Sequence, residues 1–157
     1  MKYLVWLNEV MGAGNPRSVR ALEHFGSAQK IYNATKTQRE TSGIFSKKEI
    51  TKINKTPLSI ATDIISDCIN SGIDIIGIGD KRYPTSLRVI ENPPLLLYVK
   101  GKFPDFNNTP TVALVGPRKV SDYGKKAAYS LSFRLARSGF IVVSGGAVGC
   151  DTYAHAG

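Results

Sequence analysis

Two glycine-rich segments hold residue types that proteins use to bind phosphate. Residues 116–124 read GPRKVSDYG, and residues 144–151 read SGGAVGCD. Glycine lets a ligand come close to backbone N–H groups. Arg118 adds a guanidinium that can hold two phosphate oxygens at once, and Lys119 adds a mobile cation. Together the two segments predict a binding site for an anionic ligand.

The candidate residues for this site are Gly116, Arg118, Lys119, Ser121, Tyr123, Gly124, Lys125, Lys126, Ser144, Gly145 and Gly149. Tyr123 could stack on an unpaired base or could pack across the end of a sheet. Asp151 could orient the second segment from the first turn of the following helix. Glycines also allow tight strand-to-helix turns in proteins that bind nothing there, so one such segment alone would not indicate a ligand.

A strand, a helix and a second strand are expected to position the two segments. Residues 111–115 and 140–143 have strand composition, and Ser121 or Asp122 can cap a helix that ends at Gly139. One face of this helix carries Ala127, Ala128, Leu131 and Leu135, and the other carries Lys126, Ser130, Arg134 and Arg137. A connection of this length predicts parallel strands, whose carboxyl ends share one edge of the sheet. The two segments should therefore be neighbours.

The preceding residues predict a small bundle of short helices. Helices should end at Gly12 and Gly26, begin after the caps Ser27 and Ser46, and run over residues 58–70. In the last helix the residues expected to point inward are Ile60, Ile64, Ile65 and Cys68. Residues 73–77 and 95–100 predict further strands, and residues 77–80 a turn. We expect an all-α domain over residues 1–72 and an α/β domain with an incomplete parallel sheet over residues 73–157.

The charge of the chain favours a polyanionic partner for its second half. The chain has 157 residues and a formal net charge of +9. Residues 1–80 hold ten Lys/Arg and eight Asp/Glu, whereas residues 81–157 hold eleven and four. The excess positive charge therefore lies in the half that carries the glycine-rich segments.

No membrane, metal or cofactor site is indicated. No apolar run reaches the ~20 residues that cross a bilayer, and the first residues lack a secretory signal pattern, so we expect a cytoplasmic protein. Cys68 and Cys150 are far apart and without metal-ligand spacing. Neither a dinucleotide fingerprint nor a P-loop is present. We expect no metal and no cofactor.

A series of short motifs runs through residues 79–157. The motifs are Gly79-Asp80, Tyr83-Pro84, Leu87, Pro93-Pro94, Leu97-Tyr98, Gly101, Val112-Ala113-Leu114-Val115-Gly116-x-Arg118, Ser121, Tyr123-Gly124, Ser144-Gly145-x-Ala147-x-Gly149-x-Asp151 and Ala154-His155. Their order and spacing resemble the DNA-processing protein A family (DprA, also called Smf). The resemblance implies a Rossmann-like domain that follows a SAM-like, helix-hairpin-helix-like domain.

The function that the resemblance implies is binding of single-stranded DNA that enters a naturally transformable cell. Such a protein protects the strand and helps to load the RecA recombinase on it, without enzymatic activity of its own, and forms a homodimer at full length. The family's phosphate-contacting arginine corresponds to Arg118. The serine and glycines of its second loop correspond to Ser144, Gly145 and Gly149. Lys119, Lys125 and Lys126 are candidates from their charge alone.

Three positions depart from the family pattern. Pro117 stands where serine is usual, which removes a hydroxyl and a backbone N–H from the first segment and should weaken phosphate binding. Gly146 stands where a larger apolar residue is common, and Val148 where a polar or basic one is common. The second segment should therefore be looser and less charged than in the family.

The stretch from Thr111 to Gly157 is short for a doubly wound domain, which takes ~150 residues. We therefore expect residues 73–157 to be the truncated first part of a Rossmann-like domain. A sheet edge and an apolar helix face should then be covered by a second copy or by domain swapping.

Other interpretations stay open. A nucleotide-binding enzyme that cleaves nucleoside monophosphates would need a general acid or base, and Asp151 and His155 are the candidates near the segments. The turn Gly12-Ala13-Gly14, which precedes Arg17, resembles a helix-hairpin-helix turn that holds phosphate, although a purely structural turn is favoured by the nearly neutral charge around it. A module that binds only proteins through its helices would leave oligonucleotides unbound.

Overall fold

A computed structural model describes every residue, Met1–Gly157, and the chain forms two compact units, Met1–Phe103 and Pro104–Gly157. The first unit holds α1 (Lys2–Met11), α2 (Pro16–Phe25), α3 (Ala28–Asn33), α4 (Lys36–Thr41), α5 (Lys47–Lys55), α6 (Ser59–Asn70), β1 (Ile73–Gly77), α7 (Thr85–Arg88) and β2 (Leu96–Lys100). The second unit holds β3 (Thr111–Ala113), α8 (Asp122–Arg137), β4 (Ile141–Val143) and α9 (Cys150–Ala156). The fold is mixed α/β, and none of its helices has the length and apolar character that a bilayer crossing requires.

Helix α1 lies at the centre of the first unit. The side chains of Val5, Trp6 and Leu7 have no exposed surface. Helices α2, α3, α5 and α6 all pack against α1, so it is apolar on more than one side. The indole Nε1 of Trp6 donates a hydrogen bond to the carbonyl oxygen of Thr56 at 2.9 Å, which satisfies its one polar atom.

The helix ends follow local capping signals. Helix α1 ends before Gly12 and α2 before Gly26, and the Ser27 hydroxyl accepts a backbone hydrogen bond from the first turn of α3. At the start of α5, the Ser46 hydroxyl accepts from the N–H of Glu49 and the Glu49 carboxylate accepts from the N–H of Ser46. The predicted helix limits and the capping box are confirmed.

Two short helices were not predicted. Helix α4 begins at a second capping box, formed by Thr35 and Gln38, and has six residues. Helix α7 has four residues. Neither is long enough to show the apolar repeat that identifies a helix in a sequence.

One predicted core position in α6 is wrong. Cys68 is buried and Ile64 and Ile65 pack against the core, as expected, but Ile60 is 37% exposed. The buried residue in the first turn is Ala61. Because a helix repeats every 3.6 residues, Ala61 shares a stripe with Ile64, Ile65 and Cys68, whereas Ile60 lies to the side of it.

Strands β1 and β2 are part of the first unit. They pair antiparallel, with Ile73 opposite Lys100, and Ile75, Leu95 and Leu96 join the helical core. The compact units therefore divide between residues 103 and 104, whereas the sequence pattern predicts a domain boundary between residues 72 and 73. The physical reason is that a two-stranded sheet has no core of its own, and α1 and α6 supply the surface on which it packs.

The motif residues between β1 and β2 have structural contacts. Tyr83 has no exposed surface, and its hydroxyl donates to the carbonyl oxygen of Pro94 at 2.8 Å. The predicted turn over residues 77–80 is confirmed, since the N–H of Asp80 donates to the carbonyl oxygen of Gly77 at 2.8 Å. The Asp80 carboxylate pairs with Arg82 at 2.9 Å. These contacts fix the connection between the two strands.

The second unit is the predicted strand-helix-strand unit. Strands β3 and β4 pair in parallel, with Val112 opposite Val142, and α8 connects them. Ser121 caps α8 by accepting a hydrogen bond from the N–H of Gly124. Each strand has three residues and is shorter than predicted. Parallel pairing places the carboxyl ends of both strands at the same edge.

Candidate anion-binding site

The loops that follow β3 and β4 contact each other directly. We define the first loop as residues 114–121, between β3 and α8, and the second loop as residues 144–149, between β4 and α9. The N–H of Cys150, at the start of α9, donates to the carbonyl oxygen of Pro117 at 3.1 Å. A Cβ atom added at Gly149 would lie 2.2 Å from the carbonyl oxygen of Arg118. The prediction that the two segments are neighbours is confirmed.

The predicted site glycines have packing reasons inside the chain. A Cβ at Gly116 would lie 2.4 Å from the Cys150 sulfur, and one at Gly124 would lie 2.7 Å from a methyl group of Val120. At Gly145 the nearest atom would be a carboxylate oxygen of Asp151, at 3.1 Å. These glycines therefore permit close packing, and their presence alone does not indicate a ligand.

The groups that remain free at the two loops are cations and backbone amides. Arg118 and Lys119 are exposed and make no side-chain hydrogen bond or ion pair within the chain. The N–H groups of Gly116, Arg118, Lys119 and Gly145 donate to no acceptor in the chain. Free amides beside unpaired cations are the combination that binds anions in proteins.

Asp151 holds the second loop in place. It is 8% exposed, and its Oδ2 accepts a hydrogen bond from the N–H of Ala147 at 3.3 Å. The hydroxyl of Thr152 donates to the carbonyl oxygen of Ala147 at 3.1 Å. The expected orienting role of Asp151 matches this geometry.

Ser144 has a partner, His155, that no sequence pattern assigns to it. Its Oγ lies 2.7 Å from Nε2 of His155 and accepts from the N–H of Gly146 at 3.3 Å. His155 lies in α9, eleven residues after Ser144. The contact therefore depends on the path of the second loop, which brings α9 next to the end of β4. The one sequence feature that could indicate this contact is a serine just after a strand, followed by a helix that contains a histidine. The Ser144 hydroxyl is thus already engaged in the free chain.

The basic and aromatic residues at the start of α8 differ in availability. Lys125 binds Asp122 at 2.8 Å, and this hydrogen bond raises the pKa of Lys125 and lowers the pKa of Asp122. Lys126 is exposed and has no such partner. Tyr123 is 82% exposed, so it does not pack across the end of the sheet. Tyr123 and Lys126 are therefore open to a ligand, whereas Lys125 is partly neutralised.

The glycine turn between α1 and α2 is held by a carboxylate. Nη1 of Arg17 donates to both oxygens of Glu49, at 2.9 and 3.0 Å, and Nδ2 of Asn15 donates to the same carboxylate at 2.8 Å. Burial alone would raise the pKa of Glu49, but hydrogen bonds from Ser46, Asn15 and Arg17 outweigh it and lower the pKa to about 2. Since Arg17 is already paired, the structural interpretation of this turn is favoured over phosphate binding.

Comparison with known proteins relates the chain to DNA recombination. The family model described as DNA recombination-mediator protein A matches residues 74–157. The DNA processing protein DprA of Bacillus subtilis is 36% identical over 85 residues, which cover 54% of this chain and 29% of the relative. The protein Smf of Borreliella burgdorferi is 38% identical over 78 residues, which cover 50% of this chain and 24% of the relative.

A third relative aligns along nearly the whole chain. The protein Smf of Synechocystis is 29% identical over an alignment of 161 positions. The alignment covers 98% of this chain and 39% of the relative. The chain thus spans between 24% and 39% of the length of these three relatives.

Proposed function

The chain belongs to the DNA recombination-mediator protein A family, and from that premise we propose that it binds single-stranded DNA through the first and second loops. The observation that supports this most is the direct contact between the loops, from Cys150 to Pro117 and from Gly149 to Arg118. That contact gathers free amides and two unpaired cations at one edge of the unit. Binding of DNA phosphates to such a surface would release their counterions into solution.

The cations, amides and aromatic ring of the two loops and of the start of α8 have separate roles in this proposal. Arg118 holds phosphate oxygens in bidentate fashion, and Lys119 and Lys126 neutralise the adjoining phosphates. The amides of the two loops supply further donors. Tyr123, which is 82% exposed, offers a ring on which an unpaired base stacks. Lys125 contributes less, because Asp122 already pairs with it.

The wider role that we propose is recombination mediation during DNA uptake by a naturally transformable cell. The strand bound at the loops would be protected and passed to the RecA recombinase, in the cytoplasm and without catalysis by this protein. The family description supports the link to DNA recombination. The motif series supports the finer steps, together with a Rossmann-like second unit, a SAM-like first unit and a homodimer at full length.

Fluorescence anisotropy with labelled oligo-dT over a series of salt concentrations tests this proposal. We expect binding that weakens steeply as salt increases. Arg118→Ala should lower the affinity about 10-fold or more and the salt slope by about one, because a charge-assisted phosphate contact is lost. Lys55→Ala is the matched control, since it removes one exposed cation from the first unit. Equal behaviour of the two variants would contradict the proposal.

One observation favours a nucleotide-cleaving enzyme as a second candidate. Ser144 and His155 form a hydroxyl-imidazole pair at 2.7 Å, which is the geometry of a nucleophile and its base. A mostly apolar cavity of about 310 Å³ lies beside the first loop, lined by Leu114, Val120 and Leu131 among others, and its size suits a small ligand, but neither Ser144 nor His155 lines it. In this candidate His155 acts as the general base and Asp151 keeps its structural role.

The test of this second candidate is a product assay with nucleoside monophosphates. The enzyme interpretation expects release of base or phosphate by the wild-type chain and its loss in His155→Ala, with oligo-dT binding retained. Absence of any product with the wild-type chain would leave the Ser144–His155 contact as a structural hydrogen bond of the second loop.

A further inference from the structure

An aromatic pair lies on the exposed side of α8, beyond the first loop. Tyr129 is 46% exposed and Phe133 is 42% exposed. Their rings are nearly parallel, with an angle of 6° between the planes and 6.5 Å between the centroids. Because the two residues are four apart, they occupy neighbouring positions on one side of the helix. Two large aromatic rings are thus presented to solvent in a common orientation.

The charges around this pair are almost all positive. Helix α8 contains a single acidic residue, Asp122, and its carboxylate is bound to Lys125. Lys126 and Arg134 are exposed and form no ion pair, and the guanidinium of Arg137 lies 5.7 Å from the centroid of the Phe133 ring. An ordinary solvated helix face carries both signs of charge. The side of α8 that carries Tyr129 and Phe133 has cations and no acidic residue beyond the first turn, whereas Leu131, which is 50% exposed, lies on the opposite side of the helix.

We propose that this side of α8 is a second contact surface for single-stranded DNA. Bases stack on Tyr129 and Phe133, while Lys126, three residues before Tyr129, and Arg137, four residues after Phe133, contact the phosphates on either side. Alternation of aromatic rings and unpaired cations is the chemistry that holds an unpaired strand without regard to its sequence. An apolar protein partner would not need the cations, and an acidic peptide would not need two parallel rings.

This inference rests on the proposed function, because α8 begins where the first loop ends and a strand held by Arg118 leads onto it. The sixteen residues of α8 rise ~24 Å. With phosphates at least ~3.4 Å apart along a strand, at most about seven nucleotides cover that length. The two surfaces together would therefore contact a short oligonucleotide rather than a single nucleotide.

The test compares two ligands that have the same number of phosphates, oligo-dT and an abasic oligonucleotide of equal length. The double variant Tyr129→Leu/Phe133→Leu keeps apolar bulk and removes the aromatic faces, so the helix is retained. Its affinity for oligo-dT should fall about 5- to 10-fold or more with the salt slope unchanged, since stacked bases are lost and phosphate contacts are not. Its affinity for the abasic strand should equal that of the wild-type chain.

Two further variants complete the design. Tyr98→Leu is the matched control, since Tyr98 is 44% exposed but lies on β2 in the first unit, and it should leave oligo-dT binding unchanged. Lys126→Ala/Arg137→Ala should lower the salt slope by about one to two for both ligands, because two phosphate contacts disappear. Circular dichroism of each variant verifies that α8 is still folded.

The outcomes separate this inference from the proposed function. If Arg118→Ala weakens oligo-dT binding while Tyr129→Leu/Phe133→Leu does not, the α8 surface is overturned and the loop site stands. If the leucine variant weakens both ligands equally, the rings act through folding and base stacking is overturned. If wild-type chain binds no oligo-dT at all, the loop site and the α8 surface are both overturned.

Discussion

At the scale of single residues, Gly149 determines whether the two loops can meet. Its backbone has φ 98° and ψ −130°, a conformation that residues with a side chain rarely adopt. The carbonyl group of Arg118 occupies the place where a Cβ would stand. Gly146, in the same loop, also has a positive φ, 66°, but has open space around it. Gly149 is therefore constrained both by its backbone conformation and by the loop contact, whereas Gly146 is constrained by its backbone conformation alone.

We predict that Gly149→Ala disrupts the second unit and the ligand site together. The substitution should cost about 3 kcal/mol or more, since it combines a strained backbone with a steric clash. Gly146→Ala should cost only about 1 kcal/mol, because it adds left-handed strain alone. Urea unfolding followed by circular dichroism measures both costs, and anisotropy measures binding. Equal losses in the two variants would show that the contact between the loops has no energetic weight.

The sequence predicted some of the site residues better than others. Arg118 and Lys119 were identified because residues after a parallel strand lie at the carboxyl edge of the sheet, which is a rule of topology. The pairing of Lys125 with Asp122 is a local contact three residues apart and was overlooked. The Ser144–His155 contact depends on the path of the chain through the second loop, which no local pattern encodes.

At the scale of elements, Glu49 joins the start of α5 to the turn between α1 and α2. Its carboxylate caps α5 through Ser46 and accepts hydrogen bonds from Asn15 and Arg17. The side chain of Glu49 is 12% exposed and that of Arg17 is 41% exposed, so water reaches the ion pair mainly from the arginine side. One side chain thus holds together two parts of the helical core that lie more than 30 residues apart in the chain.

We predict that this contact makes the first unit sensitive to acid. The pKa of Glu49 is about 2 in the folded chain, whereas the ordinary pKa of a glutamate side chain is 4.5. A lowered pKa stabilises the fold above pH 4.5, and that stabilisation is lost as the pH falls from 4.5 towards 2. Its size is on the order of 2 to 3 kcal/mol. Urea unfolding at several pH values should show a smaller decline in Glu49→Gln than in the wild-type chain; parallel declines would contradict this account.

Elements with strong local signals were predicted from the sequence, and elements defined by distant contacts were not. Caps at Ser27 and Ser46 fixed two helix starts, because the hydrogen bonds involved span only three residues. The strand composition of residues 73–77 was recognised, but its antiparallel partner and its place on α1 and α6 were not. Strand pairing is non-local, so composition identifies a strand without identifying its neighbour.

At the scale of the whole molecule, the residues that match the family do not begin where the second compact unit begins. The match begins at residue 74, inside β1, whereas the second compact unit begins at Pro104. The segment between them contains β1, the buried Tyr83 and β2, which pack in the first unit. The motif series of residues 79–101 therefore belongs structurally with the helices, and the loop motifs belong with the parallel strands.

We predict that this division shows in the folding of fragments. A fragment of residues 1–103 should unfold cooperatively on heating, because it keeps Ile75, Leu95 and Leu96 in the core. A fragment of residues 1–72 should melt at a lower temperature and with a broader transition, because the surface of α1 and α6 that these residues cover becomes exposed. Circular dichroism during heating measures both. Identical melting of the two fragments would favour the boundary between residues 72 and 73.

The central claim is that the two loops in contact bind the phosphates of a DNA strand. Amide chemical shifts test this claim directly, because each loop residue gives its own signal. Addition of unlabelled oligo-dT to the ¹⁵N-labelled chain should shift the amide signals of Gly116, Arg118, Lys119 and Gly145 most, and inorganic phosphate should shift the same signals more weakly. The turn around Gly14 in the first unit should be unaffected. Largest shifts at that turn, with the loop amides unchanged, would contradict the account.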